Sequence, residues 1–190
     1  MIGQNPDVLS EIVLRIRAKP SPDGMSTKII AVDGPGGAGK SAFAARLAEE
    51  LGGAQVLHTD DFASWENPID WWPRLVKEVL EPLSRNQSAR YRRTDWGNPE
   101  HHDWGEVTPA EFVILEGVTA SREPFRPFLT YSVWIETPRE LRLSRGLARD
   151  GEEARVQWEE WMAKEEDYMR REKPRERADL VLPGDEDLWS

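Results

Sequence analysis

Gly34-Pro35-Gly36-Gly37-Ala38-Gly39-Lys40-Ser41 fills every fixed position of the pattern G-x-x-x-x-G-K-[ST]. A polyphosphate needs several backbone N–H groups converging on it, and glycines allow the tight turn that exposes them. Gly34, Gly36, Gly37, Ala38 and Gly39 would form the cradle. Lys40 would bring a charge to the β- and γ-phosphates, and Ser41 a hydroxyl to Mg²⁺. ATP and Mg²⁺ are the cofactors implied. Further along, Thr59-Asp60-Asp61-Phe62 places two adjacent carboxylates after the strand-like run Ala54-Gln55-Val56-Leu57-His58. Ligands in open α/β sheets bind beyond the carboxyl ends of the strands, so this pair is a candidate for catalysis or magnesium. If strand geometry continues through the pair, the two side chains point to opposite sides and one alone faces the loop. Glu116, at the end of a third apolar run, sits where an acid supports Mg²⁺ through water. Arg142, Arg145 and Arg149 fall within about 60° of one another on a helix, as a phosphate clamp would. Pairing with the acidic helix that follows is the competing role, above all for Arg145.

Definite elements must hold these groups. Lys28-Ile29-Ile30-Ala31-Val32 is β-branched and apolar, as a buried parallel strand should be. Ala42 to Leu51 reads as a helix that stops at Gly52-Gly53. Residues 7–18 carry apolar side chains at helical spacing, and Pro20 to Gly24 breaks them off. A helix is expected over 70–83, strands over 111–117, 130–136 and 179–182, and a long charged helix over 154–171. Thr137-Pro138 opens another helix, with the threonine as cap and the proline at its first position. Residues 84–106 read as a polar, turn-rich loop, and a loop this long in a compact domain is usually functional. Five of the nine tryptophans lie between positions 65 and 104. Trp71 and Trp72 fit a small satellite core, while one or two others would stack on a flat ring of a second substrate. Arg90, Arg92 and Arg93 are either an anion site or a solvated basic stretch.

Five strands alternating with helices give the fold class: α/β, a three-layer αβα arrangement around a five-stranded parallel sheet. A short helical lid is expected over 145–160. One domain accounts for 1–190, with 1–27 as an N-terminal helix and linker. At 190 residues such a domain buries roughly 70% of its unfolded surface. No apolar run approaches the ~20 residues that span a bilayer. The opening residues lack the basic and apolar regions of a secretion signal, and with a nucleotide loop this favours the cytoplasm. With no cysteine, disulfides and cysteine-ligated metals are excluded. A net charge of −10 repels nucleic acid over most of the surface. The partner expected is therefore a small-molecule acceptor, with a homodimer left open and neither nucleic acid nor membrane involved.

Residues 28–183 resemble the uridine kinase group of small P-loop kinases. After the P-loop, Thr59-Asp60-Asp61-Phe62 is similar to the family's Asp-Ser-Phe-Tyr segment, whose first aspartate is the base for the acceptor hydroxyl. That implies Asp60 as base and leaves Asp61 for magnesium or for capping. Thr94-Asp95-Trp96 resembles the Tyr-Asp-Phe segment that binds the nucleoside sugar, which implies Asp95 with Trp96 beside it. His101 or His102 would fill the base-reading place. Glu116-Gly117 matches the family's strand end. Arg142, Arg145 and Arg149-Asp150 resemble the helix that leads into its lid, and Pro174 with Ala178-Asp179 the approach to its last strand.

Two departures stand out. Ala63 replaces an aromatic, and the Arg-Gly-Arg-Asp lid is reduced to Asp150-Gly151-Glu152-Glu153-Ala154-Arg155. Val32-Asp33-Gly34-Pro35 is similar to the opening of bacterial cytidylate kinases. The resemblance implies transfer of the ATP γ-phosphoryl group to a nucleoside-like hydroxyl, with Asp60, Lys40 and Arg149 catalytic. A nucleoside monophosphate kinase, with Arg93 or its neighbours on the acceptor phosphate, is the second reading. A non-kinase ATPase is the third. A GTPase switch would need an Asn-Lys-x-Asp segment, which the chain lacks.

Overall fold

The computed structural model describes residues 6–64, 67, 69–95, 98 and 102–184. Five strands form one parallel sheet: β1 (Lys28–Asp33), β2 (Gln55–His58), β5 (Phe112–Glu116), β6 (Leu129–Glu136) and β7 (Leu180–Pro183). Their order is β2-β5-β1-β6-β7, which puts the strand before the glycine loop at the centre. The period of two decides what each face buries. Ile30, Val32, Ile114, Val133 and Ile135 face one layer, with Leu9, Ile12 and Ile16 of α1 (Pro6–Ala18) and Phe43 and Leu47 of α2 (Lys40–Glu50). Ile29, Ala31, Val113 and Leu115 face the other, against Leu75, Val79, Leu80 and Leu83 of α3 (72–84). Both faces are covered, so the central strands read as unbroken apolar runs. The three-layer α/β class is as the sequence implies.

α3 contains a π-helical stretch, Val76–Leu80, between two α-helical turns. Pro82 follows it; in α geometry its ring would clash with the carbonyl four residues back, and the widened turn relieves this. Residues 84–106 differ from the expected loop. β3 (Ala89–Thr94) and β4 (His102–Val107) form an antiparallel ribbon, with Tyr91 paired to Gly105 and Arg93 to Asp103. The ribbon belongs to the second core: Ala89, Tyr91 and Val107 are buried, and Phe62 stacks between Tyr91 at 4.9 Å and Trp71 at 6.0 Å. The satellite core expected around Trp71 thus includes the ribbon.

After β6 come α4 (Arg139–Asp150), α5 (Arg155–Glu172) and the short α6 (Pro174–Arg177). No helix among the described residues is long and apolar enough to cross a membrane. α1 is an integral part of the first core, since Ile16 is fully buried there. Ile16→Ala should therefore lower the unfolding free energy by about 2–5 kcal/mol in a single urea transition. A separate early transition for α1 would show that the helix is only loosely attached.

Candidate active site

The glycine loop turns through Gly37 at φ +73° and Gly39 at φ +94°, conformations that glycine adopts freely. It delivers Lys40 and Ser41 to the start of α2 beneath a cleft of about 590 Å³. Ala38, Lys40, Ser41, Asp60, Glu116, Arg145 and Arg149 all line this cleft, together with Trp158 and Trp161. Lys40 Nζ donates to the Pro35 carbonyl at 2.9 Å, and Ser41 Oγ to Glu116 Oε1 at 3.2 Å. Gly34 does not join the cradle: its amide donates to Asp33 Oδ1 at 2.7 Å. The Gly36 amide is taken as well, by Glu165 Oε1 at 2.7 Å, and the Ala38 amide by the Pro35 carbonyl at 3.2 Å.

Glu116 carries two further partners. Burial would raise its pKa, but His58, Lys40 and Ser41 together hold it below the ordinary value. His58 Nδ1 lies 2.7 Å from Glu116 Oε2, and this contact raises the histidine's pKa above 6.5. Asp60 opens into the cleft, yet the surrounding protein desolvates it and raises its pKa, with Glu116 adding to the rise and Lys40, His58 and Arg149 opposing it. Asp61 points elsewhere. Its Oδ2 accepts the Tyr91 hydroxyl at 3.0 Å and lies 3.4 Å from Arg93 Nε. Burial first, then Asp61, pushes Tyr91 up to about 12. Asp61 thereby ties the turn after β2 to the ribbon, and it is absent from the residues that line the cleft. Arg93 is engaged with Asp61 and lies 3.9 Å from Asp103.

The three candidate clamp arginines of α4, Arg142, Arg145 and Arg149, part company. Arg142 is buried, with Nη1 donating to Glu165 Oε2 at 3.2 Å and Nε to the Thr137 carbonyl at 3.2 Å. It cannot clamp a ligand from there. Pairing with the following helix, the competing role weighed above all for Arg145, is made by Arg142 and also by Arg139, whose Nε lies 3.4 Å from Glu166 Oε1. Arg145 Nη1 instead donates to the carbonyls of Gly37 at 3.3 Å and Gly184 at 2.9 Å. Arg149 makes a two-pronged pair with Asp150 at 2.7 and 2.8 Å and lies 5.6 Å from the Trp158 ring centroid. Asp95 sits at the end of β3, where its carboxylate accepts the Asn98 amide at 3.1 Å, and it forms no part of the cleft wall. Trp96, His101 and the His102 side chain lie outside the described residues. Arg90 stacks over Trp104, its guanidinium 4.4 Å from the ring centroid.

Sequence reasoning missed His58, Trp158, Trp161 and Glu165. The last three recur at i, i+3 and i+7 on α5, a one-face spacing that was readable. Trp161 Nε1 donates to Glu165 Oε1 at 2.6 Å and Trp158 Nε1 to Asp150 Oδ2 at 2.9 Å. Beside the loop, a second cavity of about 510 Å³ is walled by Asp60, Arg149, Asp150, Gln157 and both tryptophans.

The same architecture occurs in a structure described as a possible uridine kinase from Bacillus stearothermophilus. That match has a TM-score of 0.69 and 20% identity, covering 92% of this chain and 96% of the other. The chain has the fold of that structure. TT1252 from Thermus thermophilus also shares it, at TM-score 0.53 and 23% identity over 85% of this chain and 92% of that one. No family model matches. Among curated proteins, Inorganic pyrophosphatase TTM2 from Arabidopsis thaliana is 27% identical over 142 residues. The match takes in 70% of this chain, which spans 21% of that protein's length.

Two outcomes follow from the geometry. Arg142→Ala strands Glu165 in the interior and should cost about 3–5 kcal/mol in urea unfolding, a stability loss that a surface clamp residue would not give. In proton NMR titration, His58 should titrate above 6.5, and Glu116→Gln should bring it down. A raised histidine pKa stabilises the fold below about pH 6.5, and that contribution is lost as pH rises through the folded value. An unmoved His58 pKa in Glu116→Gln would show that the contact is absent in solution.

Proposed function

We propose that the chain is an ATP-dependent phosphotransferase that moves the γ-phosphoryl group to a hydroxyl of a small, nucleoside-like molecule. One observation carries this reading: Lys40, Ser41, Glu116, Asp60 and Arg149 line a single cleft. Its oxygen donors, a hydroxyl and two carboxylates, suit a hard divalent cation such as Mg²⁺. The glycine-rich turn at the start of α2 and the Lys40 ammonium suit a polyphosphate, so the residues present fit Mg·ATP. Bound there, it would supply the transferable phosphoryl group and a divalent charge beside it.

The remaining steps belong to the chain's own residues. Asp60 would accept the proton of the attacking hydroxyl; its raised pKa makes it a better acceptor than an ordinary aspartate near 3.9. Lys40 would offset charge on the transferring oxygens. Arg149 would leave Asp150 and turn toward Asp60 and the loop. An exposed pair such as Arg149–Asp150 is worth only about 0–1 kcal/mol, so this exchange costs little. Trp158 and Trp161 would exclude water and offer a flat wall to the acceptor in the adjoining cavity.

This moves the acceptor from the ribbon, where the sequence suggested it, to the side of α5. It also weakens the monophosphate kinase reading, because Arg93 is engaged with Asp61 and Arg90 is stacked on Trp104. Simple hydrolysis is the second reading, favoured by the pyrophosphatase likeness. ADP release should be screened with nucleosides, nucleoside monophosphates, sugars and aminoglycosides, against an acceptor-free control. Lys40→Ala should lower turnover by about 10²–10³ or more, and Asp60→Asn by about 10²–10⁴, with circular dichroism unchanged. Equal rates with and without every acceptor would replace transfer by hydrolysis, and an active Lys40→Ala variant would overturn both.

A further inference from the structure

β2 and β5 run parallel, and their register sets His58 opposite Glu116, the last residue of each strand. The two side chains meet there, with His58 Nδ1 at 2.7 Å from Glu116 Oε2. A carboxylate can only accept, so Nδ1 carries a proton and donates it. The other oxygen, Oε1, accepts the Ser41 hydroxyl at 3.2 Å. Glu116 is thus held at both oxygens, by His58 on one side and by the phosphate loop on the other.

Strand pairing does not need this contact. Four residue pairs already join β2 to β5, from Gln55 with Val113 to His58 with Glu116. The half-exposed histidine ring fills no core space, and His58 is not among the residues that line the cleft. What the contact does govern is a hydroxyl. Ser41 has one hydrogen and two lone pairs, and giving the hydrogen to Glu116 leaves both lone pairs for a cation. A carboxylate fastened only at Oε1 would be free to turn, and the Ser41 hydrogen would lose its fixed acceptor. Lys40 attracts the same carboxylate and would draw it toward the ammonium, where a polyphosphate belongs.

Partners one step removed from a metal orient the groups that hold it, and their loss commonly weakens metal binding by about 10–100-fold. We infer that His58 is a positioning residue of the cleft. It fixes Glu116 so that Ser41 presents its oxygen, and not its hydrogen, to the divalent cation of a bound nucleotide. This role rests on Mg·ATP being what the cleft takes up, and it is exerted through Glu116.

The test needs no turnover. ADP is titrated calorimetrically into the chain across a magnesium series, and the midpoint is the Mg²⁺ concentration that gives half of the full tightening. His58→Ala should move that midpoint up about tenfold while leaving ADP affinity in EDTA unchanged. His58→Asn carries an N–H as many bonds from the backbone as Nδ1, but no titratable charge, and should stay near the wild-type midpoint. With Glu116→Gln already in place, His58→Ala should add no further shift. A midpoint unmoved or lowered in His58→Ala, moved equally in His58→Asn, or moved further by His58→Ala in Glu116→Gln, overturns the role. Wild-type ADP affinity indifferent to Mg²⁺ would remove the nucleotide reading itself, and this role with it.

Discussion

Asp33 holds the working end of this molecule together. Its carboxylate has no solvent exposure and accepts five hydrogen bonds: the Gly34, Thr119 and Ser121 amides, the Ser121 hydroxyl at 2.6 Å and the Tyr168 hydroxyl at 2.6 Å. Burial raises its pKa, and those donors oppose the rise. A buried carboxylate without such donors would be very costly, so the five groups must stay in place around it. They come from three separate parts of the chain. Gly34 opens the phosphate loop, Thr119 and Ser121 follow Glu116, and Tyr168 lies on the helix that carries Trp158, Trp161 and Glu165. One side chain thus fixes where loop, acid and aromatic wall stand relative to one another.

Energies of different size then separate what is fixed from what can move. The Arg142–Glu165 pair is buried on both sides, and breaking such a pair costs several kcal/mol. Glu165 also holds the Gly36 amide, so α4, α5 and the loop form one rigid corner. Arg145 extends that corner to the Gly37 and Gly184 carbonyls. Three residues or so beyond, the restraint drops to the exposed Arg149–Asp150 pair, followed by Gly151 at φ +92°. The weakly held stretch is therefore the far end of α4 and the turn after it. A rigid corner with a loose tip suits a group that must approach the loop without disturbing the cradle.

Much of this could be read in the sequence, for definite reasons. The glycine loop has fixed positions, and buried parallel strands are continuous apolar runs, so the sheet and its central strand were legible. The ribbon was not. β3 alternates, but its buried members are only Ala89 and Tyr91, set among arginines, and β4 offers Gly105 where a side chain would be expected. A Cβ at Gly105 would lie 2.3 Å from the Tyr91 ring, so the aromatic covers the glycine and supplies the packing for both strands. Periodicity in one strand cannot reveal a partner that fills its gap. The arginines of α4 were legible as a face and illegible as partners, because helical spacing says which side chains are neighbours and leaves open whether that face is buried. The α5 tryptophans failed for another reason: a strongly charged helix draws attention to its solvated face.

The adjacent aspartates show how a right orientation can arise from different geometry. Strand alternation would point Asp60 and Asp61 apart, but β2 ends at His58 and Thr59–Asp61 is a turn of 3₁₀ helix. At three residues per turn, neighbours diverge by about 120°, which also sends the two carboxylates in different directions. What decides their destinations is Phe62. Stacked between Tyr91 and Trp71, it draws the segment onto the ribbon, and Asp61 meets the Tyr91 hydroxyl and Arg93 there. Asp60 is left on the side of Lys40 and Glu116. The aromatic stack, the buried phenol and the Asp61 pairing all hold the turn, so the position of Asp60 in the cleft is set by contacts that Asp60 itself does not make.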